Sequence, residues 1–334
     1  MSSIADTTNE TPSPIETTSA TTLITGAAGN LGSLLARHLA SNGHRLRLMV
    51  HQTPLPYDLQ TDPNATVVRA DLSQPGTLLN AVEGSDVVVH FAGVLFSPRP
   101  ERFLPETNTQ WFLNLLDACV RARVKKVILI SFPHVEGPTT VAQPATGRTD
   151  RHPASVHAQT RLAEERLLLE STRGTNITPV VLRLGMVYGR GILMIDAARW
   201  LARLRLLAVW NETTWIQLIS TADYLRATEA AIVRSDVSGI YHVGDEQPVT
   251  LQSFLEQACR VWGCPPPHRL PLPLIYAAAW FCEAFGVIAR TRSPLTRDFI
   301  TIGRVSYWGD TTRTRKELLP TLQYRMLAEG LGTL

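Results

Sequence analysis

Three glycines, Gly26, Gly29 and Gly32, fall in the segment TGAAGNLG with the spacing G-x-x-G-x-x-G. Between a strand and a helix, each does something different. The first permits a tight turn, the second admits a diphosphate against the backbone, and the third lets helix pack on strand. The N–H groups that open a helix have no intrahelical acceptor, and the helix dipole adds positive charge there. Gly26, Ala28, Gly29, Asn30, Leu31 and Gly32 are therefore the expected cradle for the diphosphate of a dinucleotide. A ribose with free hydroxyls is ordinarily held by an acid after the second strand. The stretch LMVHQTPLPY at 48–57 has no acid, and Asp58 is the first. Arg37, Arg47 and His51 lie near instead and suit a 2′-phosphate, so NADP(H) is preferred and NAD(H) stays open. Metal chemistry is not indicated. Cys119, Cys259, Cys264 and Cys282 form no C-x-x-C pair, no histidine cluster completes a site, and reduced, buried thiols are expected.

A cradle of this kind needs a strand before it and a helix after it. Thr21–Thr25 reads as the strand and residues 31–41 as the helix, closed by Gly43. Further strands are expected at 45–50, 66–69, 86–90, 126–131 and 179–184, alternating with helices at 75–82, 108–122 and 161–171. Arg161 and Glu165 stand at i,i+4 spacing in the last of these. That alternation predicts an α/β fold, a doubly wound parallel sheet of the Rossmann type. Residues 21–190 would form this dinucleotide-binding domain. Residues 191–334 would form a smaller, mostly helical substrate-binding part, with segments near 216–245 returning to the Rossmann core. There the pattern predicts a helix at 193–207, a strand at 216–219, a helix opened by Ser220, a strand at 239–243 and a helix opened by Thr250.

The 334 residues carry 32 Lys and Arg against 29 Asp and Glu, a net charge of +3, which does not indicate a nucleic-acid-binding face. Residues 1–20 hold no basic residue and no apolar run, so a disordered tail is expected rather than a targeting signal, and the cytoplasm is the expected compartment. Residues 272–288 are the most apolar stretch. They fall short of the ~20 residues of a comfortable span and include Glu283, so a buried or groove-lining helix is expected rather than a membrane span.

TGAAGNLG, Ala70-Asp71-Leu72, HFAG at 90–93, NTQWFLNLLDAC at 108–119, ISFPHVEG at 130–137, LRLGMVYGRG at 182–191 and ISTADY at 219–224 occur in that order. In order and spacing they resemble the extended short-chain dehydrogenase/reductases, a family that includes sugar-nucleotide epimerases, dehydratases and 3β-hydroxysteroid dehydrogenase-like proteins. The resemblance covers residue 21 to about 330. It implies that Asp71 and Leu72 meet the adenine, that Phe91, Ala92 and Gly93 lie along the cofactor, and that Gly185 belongs to a turn near it. A small-molecule substrate is implied too, and a homodimer is left open.

The family's proton-transfer motif, Tyr-x-x-x-Lys, is missing. No tyrosine occurs between Tyr57 and Tyr188, and no lysine between Lys126 and Lys316. One register puts His157 and Arg161 at those positions; another puts Val156 and Thr160 there. The first is preferred, because a histidine can carry a proton near neutral pH and Arg161 can hold a ribose hydroxyl, although arginine stays charged. Ser131 is the candidate for the family's serine, holding a substrate carbonyl, and Tyr188 is expected to be structural. Trp200, Trp210, Trp215, Tyr276, Trp280 and Phe281 offer apolar walls for a lipophilic substrate. The sequence is thus read as an NAD(P)-dependent oxidoreductase or epimerase with a non-standard proton donor. A non-redox isomerase or cyclase and a catalytically inactive NADP(H)-binding sensor or assembly protein remain as alternatives.

Overall fold

The computed structural model describes residues 20–91, 93, 100–289, 293 and 295–334. The expected tail and Ala92 lie outside the described residues, apart from residue 20. Seven parallel strands form the main sheet: β1 (Thr21–Thr25), β2 (Arg45–Val50), β3 (Ala65–Arg69), β4 (Val87–His90), β5 (Lys126–Ser131), β6 (Thr178–Leu184) and β7 (Gly239–Val243). Their spatial order is β7-β6-β5-β4-β1-β2-β3. Helices α1 (Asn30–Ser41), α2 (Pro75–Val82), α3 (Trp111–Arg121) and α4 (Val156–Ser171) connect strands of this sheet. The second half contributes α5 (Leu193–Arg203), α6 (Thr221–Val233), α7 (Leu251–Val261), α8 (Leu272–Ala289) and α9 (Arg297–Gly303). The chain leaves β6 through a short strand at Met186–Tyr188, which pairs with Leu218–Ser220, and then returns through α6 and β7 to the sheet edge.

Alternation along each strand sorts side chains onto two cores. In β1, Ile24 joins Leu35, Leu39, Val89, Ala227 and Ala231 on the face covered by α1 and α6. Its neighbour Leu23 joins Leu78, Val88, Phe112, Leu115 and Leu168 on the face covered by α2, α3 and α4. Both faces being covered explains the unbroken apolar run Val87–Val89 in β4, a pattern typical of buried parallel strands.

α4 begins at Val156, five residues ahead of the expected start. The Ser155 hydroxyl accepts from the N–H groups of His157 and Ala158, which caps the helix there. His157 therefore sits in the first turn. The expected i,i+4 pair of Arg161 with Glu165 does not form. Arg161 meets Glu164 at 2.6 Å, while Glu165 takes Arg183 of β6 at the same distance. The helix wraps both carboxylates inward, and the fully buried Arg183 captures the one that faces the sheet. The helix expected at 272–288 as buried or groove-lining also differs from the buried form of that expectation. α8 buries only Ile275, Ala279, Glu283 and Gly286 and leaves most of its apolar residues exposed.

Arg183 ties the site-bearing elements together. It pairs with Glu165 of α4 and with Glu136, which follows β5, and it donates to the Arg148 carbonyl at 3.0 Å. Glu136 also accepts the Gly147 N–H, and its carboxylate is 3.3 Å from His242 of β7. Removing a buried cation leaves its carboxylates without compensation, which typically costs about 3–5 kcal/mol. Arg183→Met is therefore expected to lower stability by about 3–5 kcal/mol in urea denaturation; a loss under about 1 kcal/mol would show that this network does not hold the elements.

Candidate active site and dinucleotide cleft

The strand order reverses direction between β1 and β4, where β1 feeds β2 on one side while β4 and β5 run off on the other. In open α/β sheets a ligand crevice forms beyond the carboxyl ends of strands at such a switch point. The cradle segment leaves the end of β1 into this crevice. Gly26 has φ +68°, a left-handed conformation that favours glycine. The Gly29 N–H closes the turn onto the Gly26 carbonyl at 2.8 Å. A Cβ on Gly32 would lie 2.4 Å from that same oxygen, so a glycine is required for α1 to approach β1 this closely.

The amino end of α1 is open to an anion. Gly29, its N-cap, offers no side-chain acceptor, and no acid lies in the first turn. By contrast, Ser155, Ser220, Thr250 and Thr296 close the amino ends of α4, α6, α7 and α9 with their own hydroxyls. Backbone at 27–31 can thus take a diphosphate, and the residues present fit a dinucleotide. Asn30 points elsewhere: its amide nitrogen donates to the Gly191 carbonyl at 2.6 Å and its oxygen accepts the Leu193 N–H at 2.9 Å. It braces the start of α1 against the chain beyond β6. The backbone of Gly185 is pressed onto Gln217, whose carbonyl would meet a Cβ at 2.7 Å, so close strand packing accounts for that glycine.

At the adenosine side, His51 and Asp71 stand together beyond β2 and β3, 3.3 Å apart. Asp71 also accepts from the Ser73 N–H and hydroxyl, at 2.9 and 2.7 Å. The Leu72 carbonyl accepts from Asn114 of α3 at 2.8 Å, which fixes this turn. Arg37 projects from α1 and grips Asp58 through two hydrogen bonds, both partners roughly half exposed. Arg47 is bonded to the carbonyls of Asn80 and Ala81. Its guanidinium serves α2 rather than a phosphate.

The opposite end gathers residues from β4, β5 and α4. Gly93, just beyond β4 and Phe91, is so near Arg161 that a Cβ there would lie 3.0 Å from Nη2. Arg161 is buried, and its Nε and Nη1 hydrogens have no hydrogen-bond partner of good geometry. Glu164 is its counter-ion. Burial pushes that carboxyl up to about 8, with Arg161 pulling the other way and Glu165 adding to the rise. His90 lies behind, bonded to the Thr25 hydroxyl at 2.8 Å and 3.9 Å from Glu164. The sequence offered two adjacent glutamates on α4 but no sign of which would face this side.

One turn before Arg161, His157 stacks on Phe132, ring centres 5.5 Å apart and planes 17° from parallel. Phe132 follows Ser131 and packs in turn against His134, whose ring lies 4.1 Å from that of Tyr307. Burial, with the Arg161 charge second, holds the His157 ring down to about 3. That corrects the expectation of a histidine charging near neutral pH: in this desolvated setting it is neutral. His134 is likewise held to about 3 by burial. The role expected of Ser131 also meets an obstacle. Its hydroxyl donates to Glu165, inside the Arg183 network, so its one proton is not offered to a substrate carbonyl. In the alternative register, Thr160 accepts from Asn108 at 3.1 Å and Val156 presents no polar side chain. Tyr188 is fully buried; a Cβ on Gly330 would overlap its hydroxyl, and burial raises the phenol well above its ordinary value.

Of the aromatic residues expected to line a substrate site, Trp210 is buried and bonded to Thr214, and Tyr276 bonds Thr301. Trp200, Trp215, Trp280 and Phe281 are exposed. Among the described residues no group of three or more metal-ligating side chains occurs.

The NAD dependent epimerase/dehydratase family model matches residues 22–244. The 2-alkyl-3-oxoalkanoate reductase of Shewanella oneidensis is 23% identical over 300 residues, covering 83% of this chain and 76% of its own. The ceramide reductase of Caulobacter vibrioides is 27% identical, covering 81% and 80%. A UDP-glucuronic acid 4-epimerase from Bacillus cereus, solved with UDP-glucuronic acid and NAD, superposes with TM-score 0.72 at 20% identity over 94% of this chain and 97% of its own. With a match across two-thirds of its length, the chain is an enzyme of the NAD dependent epimerase/dehydratase family.

Proposed function

We propose that this oxidoreductase moves hydride between NADP(H) and a carbonyl or hydroxyl carbon of a small lipophilic substrate, with His157 and Arg161 in place of the tyrosine and lysine the family ordinarily uses. The observation that carries the reading is the approach of Arg161 to Gly93 at the end of β4, one helical turn after His157. Sharing one face of α4, both side chains are assigned to the end of the cleft opposite the adenosine side. The reductases among the relatives favour a lipophilic ketone over a nucleotide sugar, as do the exposed aromatic residues of the second half.

A bound nicotinamide dinucleotide supplies the hydride. Arg161, permanently charged, holds a ribose hydroxyl and stabilises negative charge growing on the substrate oxygen. His157 acts as a neutral ring. It donates an N–H to that oxygen and, as the proton passes across, regains one at its second nitrogen from bulk solvent, so that carbonyl reduction consumes one solvent proton overall. No imidazolium has to exist beside Arg161 in the resting site. Gly26–Gly32 and the amino end of α1 hold the diphosphate, Asp71, Leu72 and Phe91 line the adenine and linker, and Arg37 and His51 receive the 2′-phosphate. Arg37 must leave Asp58 to do so; the exposed pair contributes little, so the exchange is cheap. Ser131 is a structural member of the Arg183 network.

The test follows reduced-nicotinamide absorbance with long-chain 3-oxo and 3-hydroxy compounds. His157→Ala is expected to cut kcat about a hundredfold or more, the usual scale for losing a proton-transfer group, with dinucleotide affinity within about twofold. Arg161→Ala should weaken dinucleotide binding and kcat together, and Ser131→Ala should keep turnover within about threefold. Full turnover in His157→Ala, or its loss in a folded Ser131→Ala, would reverse the assigned roles. Cofactor choice is read by calorimetry: Arg37→Ala should weaken NADP(H) about tenfold and leave NAD(H) nearly unchanged. Equal weakening of both would remove the 2′-phosphate role.

A further inference from the structure

α8 is built inside out. Its buried stripe, Ile275, Ala279, Glu283 and Gly286, recurs at helical spacing and includes the helix's one charged residue. Glu283 accepts from the backbone N–H of Arg297 at 2.7 Å and from its Nε at 2.8 Å. The opposite side carries Leu274, Trp280, Phe281, Phe285, Val287 and Ile288, with Phe281, Phe285 and Ile288 exposed by 66%, 65% and 82%. A surface helix of a water-soluble protein normally turns polar residues outward. An exposed apolar face of this extent marks a surface that meets another apolar phase or partner.

Length and anchoring say how it would meet one. Among the described residues α8 alone is long and apolar enough to cross a membrane. Its 18 residues span about 27 Å along the axis. Yet Glu283 and Arg297 tie one stripe to the protein, and Tyr276 bonds Thr301 of α9. The helix therefore offers its long side, not its end. Charge selects the occupant. Residues 265–304 include five arginines, Arg269, Arg290, Arg292, Arg297 and Arg304, and two acids, Glu283 and Asp298. Both acids face inward, Asp298 onto the Val156 N–H at 3.1 Å. Arg269 shares its charge with Glu256 and Arg297 with Glu283. A second copy would bring a like-charged segment against this one, whereas an anionic lipid surface neutralises it.

We propose that α8 docks the enzyme onto an anionic bilayer, lying in the interface with Trp280, Phe281, Phe285 and Ile288 among the acyl chains. Docking and the site are joined by α9. Arg297 holds α8, and the next residue, Asp298, holds the amino end of α4, which bears His157. The docking claim rests on the exposed face; its consequence, substrate drawn from the lipid phase, rests on the lipophilic-substrate reading above.

The test is flotation of the full chain with vesicles of phosphatidylcholine plus phosphatidylglycerol, and of phosphatidylcholine alone. The protein should float with the anionic vesicles and be released by high salt. The double variant Phe285→Glu, Ile288→Glu should lose at least about tenfold in vesicle affinity while still binding dinucleotide in calorimetry. Hydrogen exchange of the unaltered chain gives an independent reading: residues 272–289 should gain protection on anionic vesicles. Absence of flotation and of that protection overturns the proposal. So does a wild-type dimer that the double variant breaks into monomers, which would make a second copy the occupant. Dinucleotide binding and turnover are read without vesicles, so a failed docking test leaves the proposed chemistry standing, and the reverse holds.

Discussion

The close approach of α1 to β1 governs the rest of the molecule. With Gly26 in a left-handed turn and Gly32 so near its carbonyl that a side chain would collide, the amino end of a twelve-residue helix is brought to the carboxyl end of a central strand. Four other helices use a serine or threonine to cap their own first turn; α1, like α2 and α3, has no side-chain cap. Its unsatisfied N–H groups sit where the strand order reverses, the place at which a parallel sheet opens a crevice. The cost of an uncapped helix end is tolerated there because an anionic ligand can complete it.

The second constraint is the ion network on the other side of β5. Arg183 takes one carboxylate from α4 and one from the turn after β5. Because it uses Glu165, the neighbouring Glu164 is left to face Arg161, and the Ser131 hydroxyl is bonded into the network. Structural and site roles are therefore divided between adjacent residues of one helix. A buried ion pair contributes little net stability compared with apolar packing, but losing one partner is costly, so such a network serves to fix geometry.

Much of this was legible in the sequence. Strand positions in the main sheet and the glycine cradle emerge to within a residue or two, because apolar runs and glycine spacing are local signals. The strand expected at 216–219 is instead split into Trp215–Ile216 and Leu218–Ser220 with different partners. Even the caps at Ser220 and Thr250 could be read. What was hidden depends on neighbours that only the fold supplies. On α4, i,i+3 and i,i+4 partners are equally reachable, and Arg183 from β6 decided between Glu164 and Glu165. The charge state of His157 depends on Phe132 and Arg161 closing over it. α8 differed in the opposite sense: its composition suggested a helix buried or lining a groove, but no element of the described chain covers its apolar side.

If histidine and arginine take the place of a tyrosine–lysine pair, as proposed, the site must balance a different set of charges. A lysine in a dry site can lose its proton; an arginine cannot, so a permanent charge now lies beside Gly93. Around it the three nearby imidazoles, His90, His134 and His157, are all held neutral by burial. Glu164 is the carboxylate paired with Arg161, and its raised proton affinity shows that desolvation outweighs the attraction of that cation. On that proposal, a substrate oxygen gaining negative charge would face a cation whose partner carboxyl is pushed by burial toward its neutral form. In the proposed reaction Arg161 would be more strongly attracted to the developing charge than a fully paired guanidinium, and such a difference between resting and reacting states is what lowers a barrier.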